Sequence, residues 1–196
     1  MENYHTEPIP DPTAPKKQIT GSVRIIIDII ETFVIAFLLF VAINYVSARI
    51  RVDGSSMEPT LLNGEFVVVN KLAYKFGEPK LGDVVVFQYP HDPEQEYIKR
   101  VIGTPGDRIV ISDKRVYVND QLINEPYIKA PPIYEDEWIV PNDSLFVLGD
   151  NRNNSSDSNK WGFVPLENVI GKATFVYWPP DKVGVVEHIS GINPYP

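Results

Sequence analysis

Asp83-Val84-Val85-Val86-Phe87-Gln88-Tyr89, with Gly82 breaking the chain before it, is a short run of β-branched and aromatic residues and reads as a β-strand. Runs of the same texture recur at Phe66 to Asn70, Ile98 to Ile102, Arg108 to Ile111, Val116 to Val118, Trp138 to Val140, Ser144 to Leu148 and Lys172 to Trp178. Turn formers separate them at Asn63-Gly64, Pro79, Pro105-Gly106, Asn119-Asp120, Pro131-Pro132 and Pro141. Many short strands with no long helical pattern after residue 49 predict a mostly β domain over 49–180. Val116 to Ile123 reads as a hairpin, because Asn119-Asp120 tolerates the positive φ of a tight turn. No repeat of fixed period is present.

Upstream the texture is different. From Ile25 to Val46 the chain is apolar apart from Asp28, Glu31, Thr32, Asn44 and Tyr45, and residues 33–43 are apolar without interruption. At 1.5 Å per residue such a stretch covers about 33 Å, enough for a hydrocarbon core, so 23–48 is expected to be one transmembrane helix. A buried core helix or a cleavable signal fits less well, since no polar face develops and a signal's apolar stretch is shorter. Asp28 and Glu31 fall near its amino end, where interfacial water can reach them. Residues 1–22 hold four prolines among polar side chains and read as a disordered tail, and 181–196 as a second tail trailing from the core. Lys16, Lys17 and Arg24 on one flank against Arg49 and Arg51 on the other favour a cytoplasmic amino terminus by one charge.

Composition removes several classes of function. Lys and Arg total 18 against 26 Asp and Glu, so the basic footprint of nucleic-acid binding is missing. Without cysteine there is no disulfide, thiolate metal site or cysteine nucleophile. No HExxH or clustered His/carboxylate pattern points to a metal, and no cofactor is expected. His5, His91 and His188 fall in a tail, a turn and the carboxyl end, which offers no histidine base for a serine.

The stretch Gly54-Ser55-Ser56-Met57-Glu58-Pro59-Thr60-Leu61 holds a serine in a tight turn. Alone it is an ordinary turn former; as chemistry, it presents a hydroxyl beside its own backbone N–H. Such a hydroxyl needs a base. Lys99, in Tyr97-Ile98-Lys99-Arg100-Val101-Ile102-Gly103, is one only if burial lowers its pKa from about 10.4 to about 8, which takes on the order of 3 kcal/mol. Strand alternation puts Tyr97, Lys99 and Val101 on one face, an apolar setting for the amine. The plainer reading makes Lys99 and Arg100 charges that protect a sheet edge. A third segment, 149–158, is dense in Asp, Asn and Ser: a self-satisfied loop, or a support that holds the lysine and braces the site through an Asp/Arg pair.

Residues 54–61, 81–87 (Leu-Gly-Asp-Val-Val-Val-Phe), 97–107 and 149–164 resemble, in order and spacing, the successive sequence boxes of type I signal peptidases. The resemblance implies an antiparallel β-sheet catalytic domain of the signal-peptidase/repressor-peptidase type behind one membrane helix. It makes Ser56 the nucleophile, Lys99 the general base and Ser155 the serine that positions the lysine. Arg152 and Asp157 would brace the site, although Asn159 stands where many members carry arginine. The Ser56 N–H would be one oxyanion donor. The second falls to Gly54 through its backbone or to Ser55. Ile50, Val52, Met57, Leu61, Tyr97 and Ile98 would line two pockets for small side chains. The implied partners are signal peptides of exported preproteins and a lipid bilayer. The implied location is a cell or thylakoid-type membrane, single-pass, with the catalytic domain on the extracytoplasmic face. A repressor-type self-cleaving protein would need a DNA-binding domain in place of residues 1–48. A tethered β-domain that binds peptides without turnover is the non-catalytic alternative.

Overall fold

The computed structural model describes residues 21–189. Of the expected tail at 1–22, residues 1–20 lie outside the described residues, as do the last seven, 190–196, while residues 21 and 22 are helical. Helix α1, Gly21–Val46, is 26 residues long with no buried residue, and it is long and apolar enough to cross a membrane. It lies two residues ahead of the expected 23–48. The next residues are claimed by a sheet: β1, Ser47–Arg51, pairs antiparallel with β2, Phe66–Asn70. The chain separates into compact units at residues 42/43, within this helix.

The larger unit contains two antiparallel sheets. Its strands continue as β3 (Val84–Tyr89), β4 (Asp92–Gly103), β5 (Arg108–Ser112), β6 (Arg115–Val118), β7 (Gln121–Leu122), β8 (Asp136–Ile139), β9 (Ser144–Leu148), β10 (Val164–Pro165), β11 (Val169–Trp178) and β12 (Gly184–Val185). The main sheet runs β1-β2-β11-β3-β4-β9-β10, with β12 also on β11; the smaller runs β7-β6-β5-β8. Strand β3 explains its own uninterrupted apolar run. Val84 and Val86 enter one core cluster with Val67, Val69 and Ile98, while Val85 and Phe87 enter another with Val101, Leu145 and Val147. A strand buried on both faces has no solvent side to alternate with. A third cluster joins Ile109, Ile111, Val116 and Val118 of the small sheet to Ile102, Phe146 and Leu148 of the main one.

Asn119 and Asp120 adopt φ of 51° and 64°, as the hairpin requires. A second turn of the same kind, Asp113-Lys114 at 49° and 62°, joins β5 to β6 and lacks a distinctive signal in its lysine. Strand β4 begins six residues before the expected Ile98. Residues 92–97 are polar and mostly exposed, so no apolar alternation marks them. They pair with β3 on one side, whereas β9 pairs only from Arg100 to Gly103. Among the described residues, one backbone edge of β4 is therefore free of a partner strand up to Lys99.

Residues 184–188 do not trail away from the core as expected of a tail. Val186 is buried, its N–H donates to the Thr174 carbonyl, and the Glu187 carbonyl accepts from Arg100. Among the late aromatics, Trp161 and Phe163 pack against the core, while Tyr177 and Trp178 are exposed.

Candidate active site

Ser56 and Lys99 meet where the free edge of β4 ends. The Lys99 Nζ donates to Ser56 Oγ at 2.8 Å and to the Ile98 carbonyl at 2.9 Å, and it lies 5.2 Å from the Tyr97 ring centroid. The residue is 4% exposed. Burial pushes the amine down to about 8, against Asp157 and Asp150, whose charges favour the ammonium form. A neutral amine here directs one N–H at the Ile98 carbonyl and a lone pair at the serine proton. Among the described residues no His/Asp/Glu group of three suits a metal, and neither His91 nor His188 bonds to Ser56.

The serine turn is fixed by partners on both sides. Gly54 sits at φ +90°, a conformation glycine adopts without strain, and its N–H donates to Asn63 Oδ1 at 2.9 Å. Ser55 Oγ accepts from Asn154 Nδ2 at 3.0 Å, which leaves the hydroxyl proton free to donate. The Ser56 carbonyl accepts the Asn151 N–H at 3.0 Å.

The supporting residues are arranged differently from expectation. Ser155 Oγ is buried without a hydrogen-bond partner, and the two bonds that the lysine makes go to Ser56 and Ile98. It stands beside Gly149, where a Cβ would lie 2.4 Å from Ser155 Oγ and 2.4 Å from the Ser56 carbonyl oxygen. Arg152 and Asp157 do not pair with each other. Arg152 forks onto Glu125 and donates through Nε to the Gly149 carbonyl at 3.1 Å. Asp157 caps the short helix α2, Ser158–Trp161, accepting from the backbone N–H groups of Gly149 at 3.0 Å and Asn159 at 3.4 Å. With Asn159 where many family members carry arginine, backbone amides supply the bonds to Asp157.

Two residues outside the expected set carry much of the support. Arg100 is fully buried, donating to Asp150 through Nε at 2.9 Å and Nη2 at 2.7 Å, and it stacks 4.1 Å from the Tyr127 ring. Its carbonyl partners are Gly82 and Glu187. A charge set inside the apolar run 98–102 and another directly behind 144–148 were the available signal, since such charges are buried only when paired.

A groove of about 710 Å³ leads to the pair, with Ile50 of β1 on one wall and Tyr97 and Ile98 of β4 on the other. Val52, Met57 and Leu61 do not line it. They are core residues, at most 2% exposed, packed with Val67 and Val86.

The signal peptidase model, peptidase S26, matches residues 26–178. This chain belongs to that family. It is 43% identical over 164 residues to a probable signal peptidase I-2 of Synechocystis sp., covering 80% of this chain and 75% of the relative. A signal peptidase I of Leptolyngbya laminosa is 40% identical over 166 residues, covering 79% and 81%. The thylakoidal processing peptidase 1 of Arabidopsis thaliana is 38% identical over 143 residues, or 67% of this chain and 42% of that longer protein.

Proposed function

We propose that this protein is a membrane-anchored serine endopeptidase that removes amino-terminal signal peptides from exported preproteins, with Ser56 as nucleophile and Lys99 as general base. The observation that carries the proposal is the buried amine 2.8 Å from the hydroxyl, with no histidine among the described residues bonded to either. Membership of the signal peptidase family supports the substrate class.

Ser56 Oγ attacks the scissile carbonyl carbon as its proton passes to Lys99 Nζ. The oxyanion receives the Ser56 N–H. The second donor is assigned to the Ser55 hydroxyl, because the Gly54 N–H is already committed to Asn63. The C–N bond then breaks, Lys99 returns the proton to the leaving amine, and an ester on Ser56 remains. Water attacks that ester, again giving its proton to Lys99, which passes it back to Ser56 Oγ as the acid departs.

An extended substrate adds to the free edge of β4 and places alternate side chains toward Ile50, Tyr97 and Ile98, where only small ones fit. Helix α1 crosses the bilayer with the amino terminus cytoplasmic and the β-unit outside, in a cell or thylakoid-type membrane. Ser56→Ala and Lys99→Met are each expected to abolish cleavage of a preprotein in detergent while leaving the circular dichroism unchanged. Normal cleavage by either variant removes its residue from the mechanism.

A further inference from the structure

Asn151 holds two consecutive carbonyls around the serine. Its side-chain Nδ2 donates to the Ser55 carbonyl at 3.0 Å, and its backbone N–H donates to the Ser56 carbonyl at 3.0 Å. The Ser55–Ser56 peptide unit is planar and trans, so its C=O and N–H point in opposite directions. Whatever fixes the Ser55 oxygen therefore aims the Ser56 N–H. The other partner of that oxygen is the Glu58 N–H, at 3.2 Å within the same turn. The Asn151 amide is the bond that references the peptide plane to a different segment, the loop that also carries Gly149 and Asp157. A donor on the carbonyl also polarises the unit and strengthens its N–H as a donor. Asn151 is 8% exposed, so water competes poorly for the bond.

We propose that Asn151 is a positioning residue of the oxyanion hole: through the Ser55 carbonyl it aims and polarises the Ser56 N–H toward the charge that develops on the substrate oxygen. This rests on the reading of Ser56 as nucleophile and oxyanion donor. Asn151 itself touches no reacting atom.

The test uses the full-length protein in detergent with a preprotein substrate. Asn151→Ala deletes the side-chain bond and keeps the backbone one; Asn151→Asp, equal in shape, sets a carboxylate oxygen against the carbonyl. For both, kcat is expected to fall about 10- to 100-fold, short of or reaching the loss typical of deleting an oxyanion donor, with KM within about threefold. A peptide aldehyde, whose hemiacetal with Ser56 presents an oxyanion to the same N–H, should lose affinity by the same factor. A non-reacting peptide of the same sequence should not, and for Asn151→Ala, which adds no charge, the midpoint of the pH–rate curve should stay at the parent's value. If neither variant folds by thermal melt, Asn151→Ser, small and polar enough for the site, carries the same expectations. A kcat within about threefold of the parent overturns the proposal, and so does a loss matched by weaker binding of the non-reacting peptide or, in Asn151→Ala, by a shifted midpoint. Retained cleavage by Ser56→Ala is a separate failure, that of the peptidase reading, and is scored on a different protein.

Discussion

At the scale of single residues, two side chains and one missing side chain set the behaviour of the site. An amine brought down to about 8 by burial is about one-tenth neutral at pH 7 and about nine-tenths neutral at pH 9. Because the neutral form is the proposed base, kcat/KM should climb roughly tenfold across that interval and then level off. A flat profile between pH 7 and 9 on a fully folded enzyme would count against Lys99 as the titrating base. Gly149 is the missing side chain. A methyl there meets the Ser56 carbonyl, which is backbone held by Asn151, and Ser155 Oγ, both at 2.4 Å, so the serine turn must shift. Gly149→Ala should lower kcat on the order of 100-fold, the effect of a displacement near 1 Å, with the melting curve little changed. Near-parental turnover would mean that the turn relaxes without disturbing the Ser56–Lys99 bond. The contact between Ser56 and Lys99 was legible in the sequence, because a serine read as a nucleophile needs a base and no histidine was placed to supply it. The lack of a bond between Ser155 and the lysine was not: the amine's two partners are a hydroxyl and its own neighbour's carbonyl, and which acceptors an amine reaches is set by the packed structure.

At the scale of elements, β4 and the loop behind β9 are locked together by Arg100 and Asp150, both 0% exposed. Removing one partner strands the other charge in the interior, at a cost of about 3–5 kcal/mol. Asp150→Ala should therefore lower the unfolding free energy extrapolated from urea titration by about 3–5 kcal/mol, with a lower midpoint at an unchanged m-value, whereas Arg100→Met with Asp150→Leu should recover much of it, since matched apolar replacements leave no orphan charge. An Asp150→Ala midpoint within experimental error of the parent would show that the pair does not tie these elements. Continuous apolar runs such as β3 and β9 announced themselves. Residues 92–97 did not, because Pro93, Glu94 and Glu96 obey no apolar period, and their strand exists through backbone pairing to β3. Val52, Met57 and Leu61 were placed in the substrate pockets by resemblance, yet an apolar side chain beside a groove and one beneath it look alike in sequence. Burial separates them, and burial is a property of the packed sheet.

At the scale of the whole molecule, the chain divides into a unit ending at Ala42 and a unit from Ile43 onward, and every residue assigned to the site belongs to the second. The division was visible in composition: helix α1 has no buried residue, while the β-unit buries three apolar clusters of its own. What joins them functionally is topology. Lys16 and Lys17 precede the helix, Arg24 stands in its first turn, and Arg49 and Arg51 follow it, so charge alone favours a cytoplasmic amino terminus by a single residue. Substrate access supplies the stronger constraint: an exported precursor presents its cleavage site across the membrane, and a base buried in a folded β-unit reaches it only from that side. Protease added outside sealed, right-side-out vesicles should therefore destroy epitopes in the β-unit and spare a tag placed before residue 21, with both lost once detergent opens the vesicles. The opposite pattern, a protected β-unit and an accessible amino terminus, would leave Ser56 and Lys99 intact as chemistry and put the proposed substrate beyond their reach.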